Sequence, residues 1–350
     1  MNQHSLPRFS KDFLLVLSTT FLIGVSVVVL RSLVAEIFPF YLIYIFVALL
    51  FLYVFSKIDF EIFVSFSPHL YVFSLVLLLL TLIIGNITRG AVRWIPLGKI
   101  SIQPSEVVRP FLILFFAKYA VSAELSVKRL VKLVLVFLIP FFLILIQPSL
   151  GVAILTFIGF FGVVIASSFP KKYLLLGTAI LLAVLPLVYF VLQPYQRLRI
   201  NTFLDPSKDP YGAGYNSIQS VISVGSGGVF GRGLGKGIQT QLAFLPERHT
   251  DFIFASIAEE LGLMGAFLVI LGLFAVFWRI INIIENSQGP VARAFVSGVF
   301  LVLFAETFIH IGMNVGLLPI TGVPLPFISA GGSALIGTMM SIALVLSARK

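Results

Sequence analysis

Apolar residues in this chain come in blocks of about 20 residues, the length a helix needs to cross hydrocarbon, with short polar connections between them. The blocks fall at 13–30, 37–55, 69–85, 105–121, 131–147, 150–168, 173–192, 252–279, 293–316 and 328–347. Unpaired backbone groups are costly in lipid, so such segments must be helices or the strands of a closed barrel. These runs are too long and too uniformly apolar for barrel strands. The pattern predicts an all-α integral membrane protein of about ten transmembrane helices, with residues 1–350 forming a single polytopic domain. The first block follows a basic N-terminus as a signal peptide would, but it is too long for one and has no A-x-A site, so it reads as a retained span.

Two connections break the rhythm. One covers Asn86 to Pro104. The other, about 193–251, is a large extracytoplasmic loop between spans 7 and 8, and a loop of that length with mixed composition is more often functional than a plain connector. Its stretch Tyr215 to Val224 is expected to form an amphipathic helix at the membrane surface. No internal repeat is evident, which gives no support to a duplicated transporter architecture.

Composition agrees with the pattern: 59% of residues are hydrophobic, 11% are charged and the mean hydropathy is +1.09. A net charge of +10 raises nucleic acid as a partner, but the Lys and Arg lie in short connections and form no continuous basic face, so membrane lipid is expected instead and nucleic acid is not. With both termini cytoplasmic, the inner segments carry Arg8, Lys11, Lys57, Lys118, Lys128, Arg129, Lys132, Lys171, Lys172, Arg279, Arg293, Arg349 and Lys350, as the positive-inside rule requires. Basic residues then left on the outer face (Arg89, Arg93, Lys99, Arg232, Lys236, Arg248) call for another explanation. The absence of cysteine excludes disulfides, thiol catalysis and thiolate metal sites.

Several positions carry candidate chemistry. The glycine string Gly225 to Gly237 lacks the spacing of a Walker loop, which excludes ATP on that motif. It reads either as a flexible turn or as a backbone nest for a phosphate, with Arg232 and Lys236 favouring the anion. Asp251 stands where the long loop becomes a span. Thr250 or Asp251 can simply cap that helix, yet an aspartate at the hydrocarbon boundary beside Phe252 and Phe254 is also placed to be a general base. Glu106 and Arg109 share a helix face and read as an ion pair or, being intramembrane, as part of a site. Lys118 is expected to snorkel to the cytoplasmic edge. Trp94 is an interfacial belt residue or a platform for a sugar. Glu306, His310 and Asn314 line one face of the ninth span as a buried polar network or a proton relay. His249 has no partners at metal-ligand spacing.

The chain resembles the SEDS proteins (shape, elongation, division and sporulation). The resemblance rests on Gly90 to Ile95, Ile102 to Glu106, Gln147 to Gly151, Gly231 to Gly235, Phe244 to Phe254, Ala258 to Gly262 and Pro324 to Ser333, in that order over nearly the whole chain. The form Pro-Glu-Arg-His-Thr-Asp at Pro246 to Asp251 is most like the RodA branch. The resemblance implies a peptidoglycan glycosyltransferase of the bacterial cytoplasmic membrane, active on the outer face, that polymerises lipid II during cell elongation and cell-shape maintenance. It also implies a class B penicillin-binding protein as transpeptidase partner. Asp251 takes the position of the family's essential aspartate, and Arg93, Arg109, Arg232, Lys236 and Arg248 are candidates for the substrate pyrophosphate, with Trp94 for a sugar. Glu106 either orients Arg109 or, with Asp251, binds a divalent cation such as magnesium or manganese. The family usually has Lys where Arg109 stands. A lipid II flippase and a non-catalytic membrane scaffold are the competing functions.

Overall fold

The computed structural model describes residues 12–88, 91–98, 100–123, 126–167, 169–170, 172, 179, 190, 194–206, 209–210, 212, 214–287 and 289–349. Six helices among them are long and apolar enough to cross a membrane: α1 (Phe13–Leu33), α2 (Phe38–Lys57), α3 (Phe60–Ile84), α6 (Val127–Ile146), α11 (Ile253–Glu285) and α12 (Pro290–Asn314). The shorter apolar helices α7 (Leu150–Ala166) and α13 (Gly332–Ala348) fill two more predicted spans. The fourth is made in two pieces, α4 (Pro104–Val107) and α5 (Arg109–Val121). The seventh, 173–192, lies outside the described residues. The chain is a multi-pass, all-α membrane protein, with exposed apolar side chains such as Phe46, Phe73 and Phe308 on its outward faces.

The described helices differ from the sequence pattern by a few residues at several ends, and two differences are larger. Helix α3 starts at Phe60, not near 69, because Ser65 and Ser67 hide their hydroxyls on the carbonyls of Glu61 and Val64 and so remain helical. The connection 86–104 is not an irregular loop. It forms a small antiparallel sheet, β1 (Asn86–Thr88), β2 (Ala91–Leu97) and β3 (Ile100–Ile102), in the order β1-β2-β3. Tyr44 ties this sheet to α2 by bonding Ser101 O at 2.6 Å.

Helix α13 is the hub. It is buried from Gly332 to Ala348 apart from a half-buried Ala334, as expected of a helix that is apolar all round. It packs chiefly on α2, while α12 packs on α7 and α11 on α1. Helices α1 and α11 are joined at both ends. The buried Asp12 carboxylate accepts from Arg279 at 2.8 Å and from Arg349 at 2.5 Å, and Ser32 Oγ donates to Glu260 Oε2 at 2.9 Å. Asp12 and Ser32 are separated by about 20 helical residues, or about 30 Å, so the two contacts mark the two edges of one hydrocarbon thickness.

Helix α11 breaks at Gly262, whose φ of 70° and ψ of −166° are accessible only to glycine. A break leaves helix-end amides and carbonyls without partners at membrane depth. The glycine string supplies them. Leu263 N and Met264 N donate to Gly228 O and Val229 O at 2.9 and 3.1 Å, and Arg232 N and Gly233 N donate to Glu259 O and Glu260 O at 3.0 and 2.9 Å. Only residues without side chains fit these approaches, since a Cβ would lie 1.8 Å from Ala258 O on Gly227 and 2.2 Å from Glu260 O on Gly231. The amides of Gly231, Arg232 and Gly233 are thus spent on backbone carbonyls and are not offered to a phosphate.

The long loop also contains α8 (Pro194–Leu204), α9 (Tyr215–Ser226) and α10 (Ile238–Gln241). Helix α9 matches the predicted amphipathic helix and runs two residues further. Its Ser220 and Ser223 face inward against α11 and α12, and Val221 and Ile222 are exposed.

Candidate active site

Asp251 sits one residue before the helix-capping Phe252 of α11, half-buried, with the fully packed run Phe252 to Glu260 behind it. Its backbone is held from another helix. Asn314, the last residue of α12, is completely buried. Its amide nitrogen donates to Asp251 O at 3.0 Å and to His310 O at 2.8 Å, and its amide oxygen accepts from Ala255 N at 3.0 Å. The first-turn amide of Ala255 would otherwise want a local cap. Asn314 fills that place, which the sequence assigns to Thr250 or Asp251, and the Thr250 hydroxyl turns to Glu247 Oε2 at 3.1 Å.

The loop before α13 closes the other side. Ser329 Oγ donates to Thr250 O at 2.9 Å and Ala330 N to His249 O at 2.9 Å. Gly322 flanks the carboxylate, and a Cβ there would sit at ordinary contact distance, 3.7 Å, from Asp251 Oδ2. Non-glycine residues with positive φ gather around this junction: Ala243 at 56°, Glu247 at 52° and Phe327 at 66°. Left-handed backbone of this kind costs about 1–2 kcal/mol per residue and persists only where the surroundings impose it. His310, buried beneath, holds the same loop through Nδ1 to Val323 O at 2.8 Å.

Glu106 and Arg109 do form an ion pair, and a third member that sequence spacing does not reveal completes it. Arg109 Nη2 donates to Glu106 and Nη1 to Glu306, with all three residues buried. A small cavity, of a size for one water, lies against Glu106, Arg109, Thr338 and Ser341. The structure does not bring this triad onto the Asp251 carboxylate. Glu306 lies eight residues before Asn314 on α12, roughly 12 Å along the axis. The two clusters are linked through α12 and through the α13 side, where Ser333 Oγ accepts from Gln103 N at 2.8 Å, just ahead of Glu106. Glu306, His310 and Asn314 thus serve three different partners, as a structural polar network does.

The remaining candidates are spread around the same end of the bundle. Arg248 is half-buried and donates to Leu33 O at 3.2 Å. Arg232 and Lys236 are exposed on the glycine string. Arg93 and Trp94 are half-buried on β2, with Trp94 opposite Asn86 in the register. At the other end Lys118 reaches Ser65 O at 3.4 Å, consistent with snorkelling. Among the described residues no three His, Asp or Glu side chains gather as metal ligands. Glu106, one of the two expected cation ligands, is committed to Arg109.

The chain matches the cell cycle protein family of FtsW, RodA and SpoVE over residues 8–350. It is 39% identical over 298 residues to the peptidoglycan glycosyltransferase MrdB of Escherichia coli strain K12, covering 84% of this chain and 80% of that protein. Its fold is similar to a chain of a peptidoglycan synthase complex that coordinates polymerization and crosslinking, with a TM-score of 0.84, 29% identity and 96% of each chain covered. It is also similar to the rod shape determining protein RodA of Thermus thermophilus, with a TM-score of 0.72, 27% identity, and 95% of this chain and 94% of that one covered. The family match spans nearly the whole sequence, the relatives cover most of it, and the motif blocks lie where the structure builds its polar frame: the chain belongs to the SEDS family.

Proposed function

We propose that the protein is a peptidoglycan glycosyltransferase that polymerises lipid II into glycan strands during cell elongation and cell-shape maintenance. The reading is carried by Asp251, the aspartate where the long loop becomes α11, whose carbonyl is held by Asn314 and whose preceding carbonyl, that of Thr250, is held by Ser329 of the loop before α13. The donor sugar is α-linked to a pyrophosphate and the product linkage is β, so a single in-line displacement with inversion suffices. Asp251 accepts the proton of the acceptor 4-hydroxyl as its oxygen bonds to the donor anomeric carbon. The bond from that carbon to the pyrophosphate oxygen breaks, and undecaprenyl pyrophosphate leaves with the electron pair.

The leaving group gathers negative charge, and the exposed Arg232 and Lys236 with the half-buried Arg93 and Arg248 are among the basic groups at this end of the bundle that can meet it. Trp94, on the neighbouring sheet, offers a face for a sugar ring. Arg109 takes a different role, because both its terminal nitrogens are engaged by carboxylates in the interior.

In this reading both termini are cytoplasmic and the Asp251 end faces outward, where lipid II and a class B penicillin-binding protein are met. Likeness to a complex that coordinates polymerization with crosslinking supports that partner. The break in α11 is the observation that favours a lipid II flippase, since discontinuous helices build transport sites, but here the glycine string fills it. The test is conversion of lipid II to glycan chains by the purified protein with its partner. Wild type is expected to polymerise and Asp251→Ala to lose 100-fold or more (about 10²–10⁴ for a general base) while remaining folded and partner-bound. Normal chain formation by the variant rejects Asp251 as the base, and no polymerisation by wild type rejects the enzyme.

A further inference from the structure

The glycine string carries two large apolar side chains that its capping of α11 does not require. Val229 and Phe230 are 53% and 80% exposed. Val229 serves the cap through its backbone carbonyl, and water at this surface would favour a polar residue at either position.

Their position relative to the bilayer is fixed by two observations. Met264 N donates to Val229 O at 3.1 Å, so the tip of the string lies level with the first turn after the break. That turn opens the outward stripe Leu263, Phe267, Leu271, Phe274 and Trp278, all exposed and recurring at helical spacing, which on a membrane span is the face turned to lipid. The Ser32 to Glu260 contact marks one edge of the hydrocarbon and the Asp12 to Arg279 contact the other. Leu263 and Met264 therefore begin on the hydrocarbon side of that edge, and the exposed tip continues their apolar face. Two and six residues beyond Phe230, the exposed Arg232 and Lys236 return the chain to a polar surface.

We infer that Val229 and Phe230 insert into the acyl-chain layer of the leaflet on the Asp251 side, anchoring the glycine string, and the half-helix it caps, to the bilayer. The occupant of this surface is bulk membrane lipid, by continuity with the lipid-facing stripe of α11. The inference does not depend on the glycosyltransferase reading.

The chain has no cysteine, so a single introduced one accepts a nitroxide label uniquely. Phe230→Cys, Val229→Cys, Phe267→Cys and Lys236→Cys are each labelled in the full-length protein in phospholipid vesicles. Collision rates are then measured with oxygen, which concentrates in hydrocarbon, and with a water-soluble nickel chelate. The expected result is an oxygen-to-nickel ratio at position 230 close to that at 267 and several-fold above that at 236, with 229 following 230 as a second reporter should one variant fail to fold. A ratio at 230 and 229 like that at 236 places the tip in water. Low access to both reagents shows that protein covers it. Either result overturns the inference.

Discussion

Two polar clusters hang from α12 about two turns apart, and they are built in opposite ways. At Glu306, charge meets charge: Arg109 is clamped between two carboxylates and all three side chains are buried. At Asn314, the bonds run from a neutral amide to backbone, and the charged residue they serve, Asp251, is half-buried. In the hydrocarbon interior an ion survives only with a partner, so pairing there consumes the groups it joins. Around Asp251 the backbone is fixed by a neutral partner instead, the Asn314 amide. Depth thus separates a cluster that holds helices together from one that positions a reactive group.

The largest effect that would sharpen this contrast is Arg109→Ala, which leaves the buried Glu106 and Glu306 carboxylates with no cation between them. Removing one partner from a buried ionic cluster costs about 3–5 kcal/mol, and a marked fall in thermal unfolding temperature in detergent is expected. An unchanged temperature would show that the triad is not a structural pillar. Next is Gly262→Ala, which forces a side chain into a backbone region reserved for glycine, at about 1–3 kcal/mol, and sets a Cβ 2.2 Å from Gly231 N. Faster amide exchange at Leu263 and Met264 is expected, and exchange at the wild-type rate would argue against the capping of α11 by the glycine string.

Asn314→Ala leaves Ala255 N and Asp251 O without their side-chain partner, worth about 1–3 kcal/mol. If Asn314 positions the base, that loss appears as a reduced kcat for polymerisation with KM little changed, and Asn314→Asp, which keeps the acceptor for Ala255 N, recovers part of it. A rise in KM at constant kcat would move Asn314 into substrate binding. The smallest effect is expected from Arg109→Lys, which keeps the charge but loses the planar fork. Stability should fall by about 1 kcal/mol or less, as for an imperfectly replaced hydrogen bond, with polymerisation largely retained. A collapse of activity in folded protein would place Arg109 on the substrate.

Much of the fold was legible because the bilayer demands long apolar helices, and runs such as 13–30 and 131–147 are hard to mistake. What stayed hidden depends on partners distant in sequence. Gly262 sits in an apolar run that tolerates glycine, and nothing local says that residues 227–233 will cap a break there. Glu306 was visible on a stripe with His310 and Asn314, but its bond to Arg109 spans 197 positions. The sheet at 86–102 is short and lies among charged residues that suggested a loop. Asp251 stood out for the opposite reason: its position depends on the boundary between a polar loop and an apolar run, which sequence shows directly. The Asn314 frame around it belongs to tertiary structure.

The contrast between the two clusters is tested most directly at Asp251 itself, by comparing Asp251→Asn with wild type. Each is purified with the crosslinking partner, matched by thermal unfolding, and assayed for glycan chains from lipid II. Asparagine keeps the shape of the side chain and the backbone bond to Asn314, so the variant should melt with wild type and form no chains. Chain formation at the wild-type rate by the folded variant would contradict Asp251 as the general base.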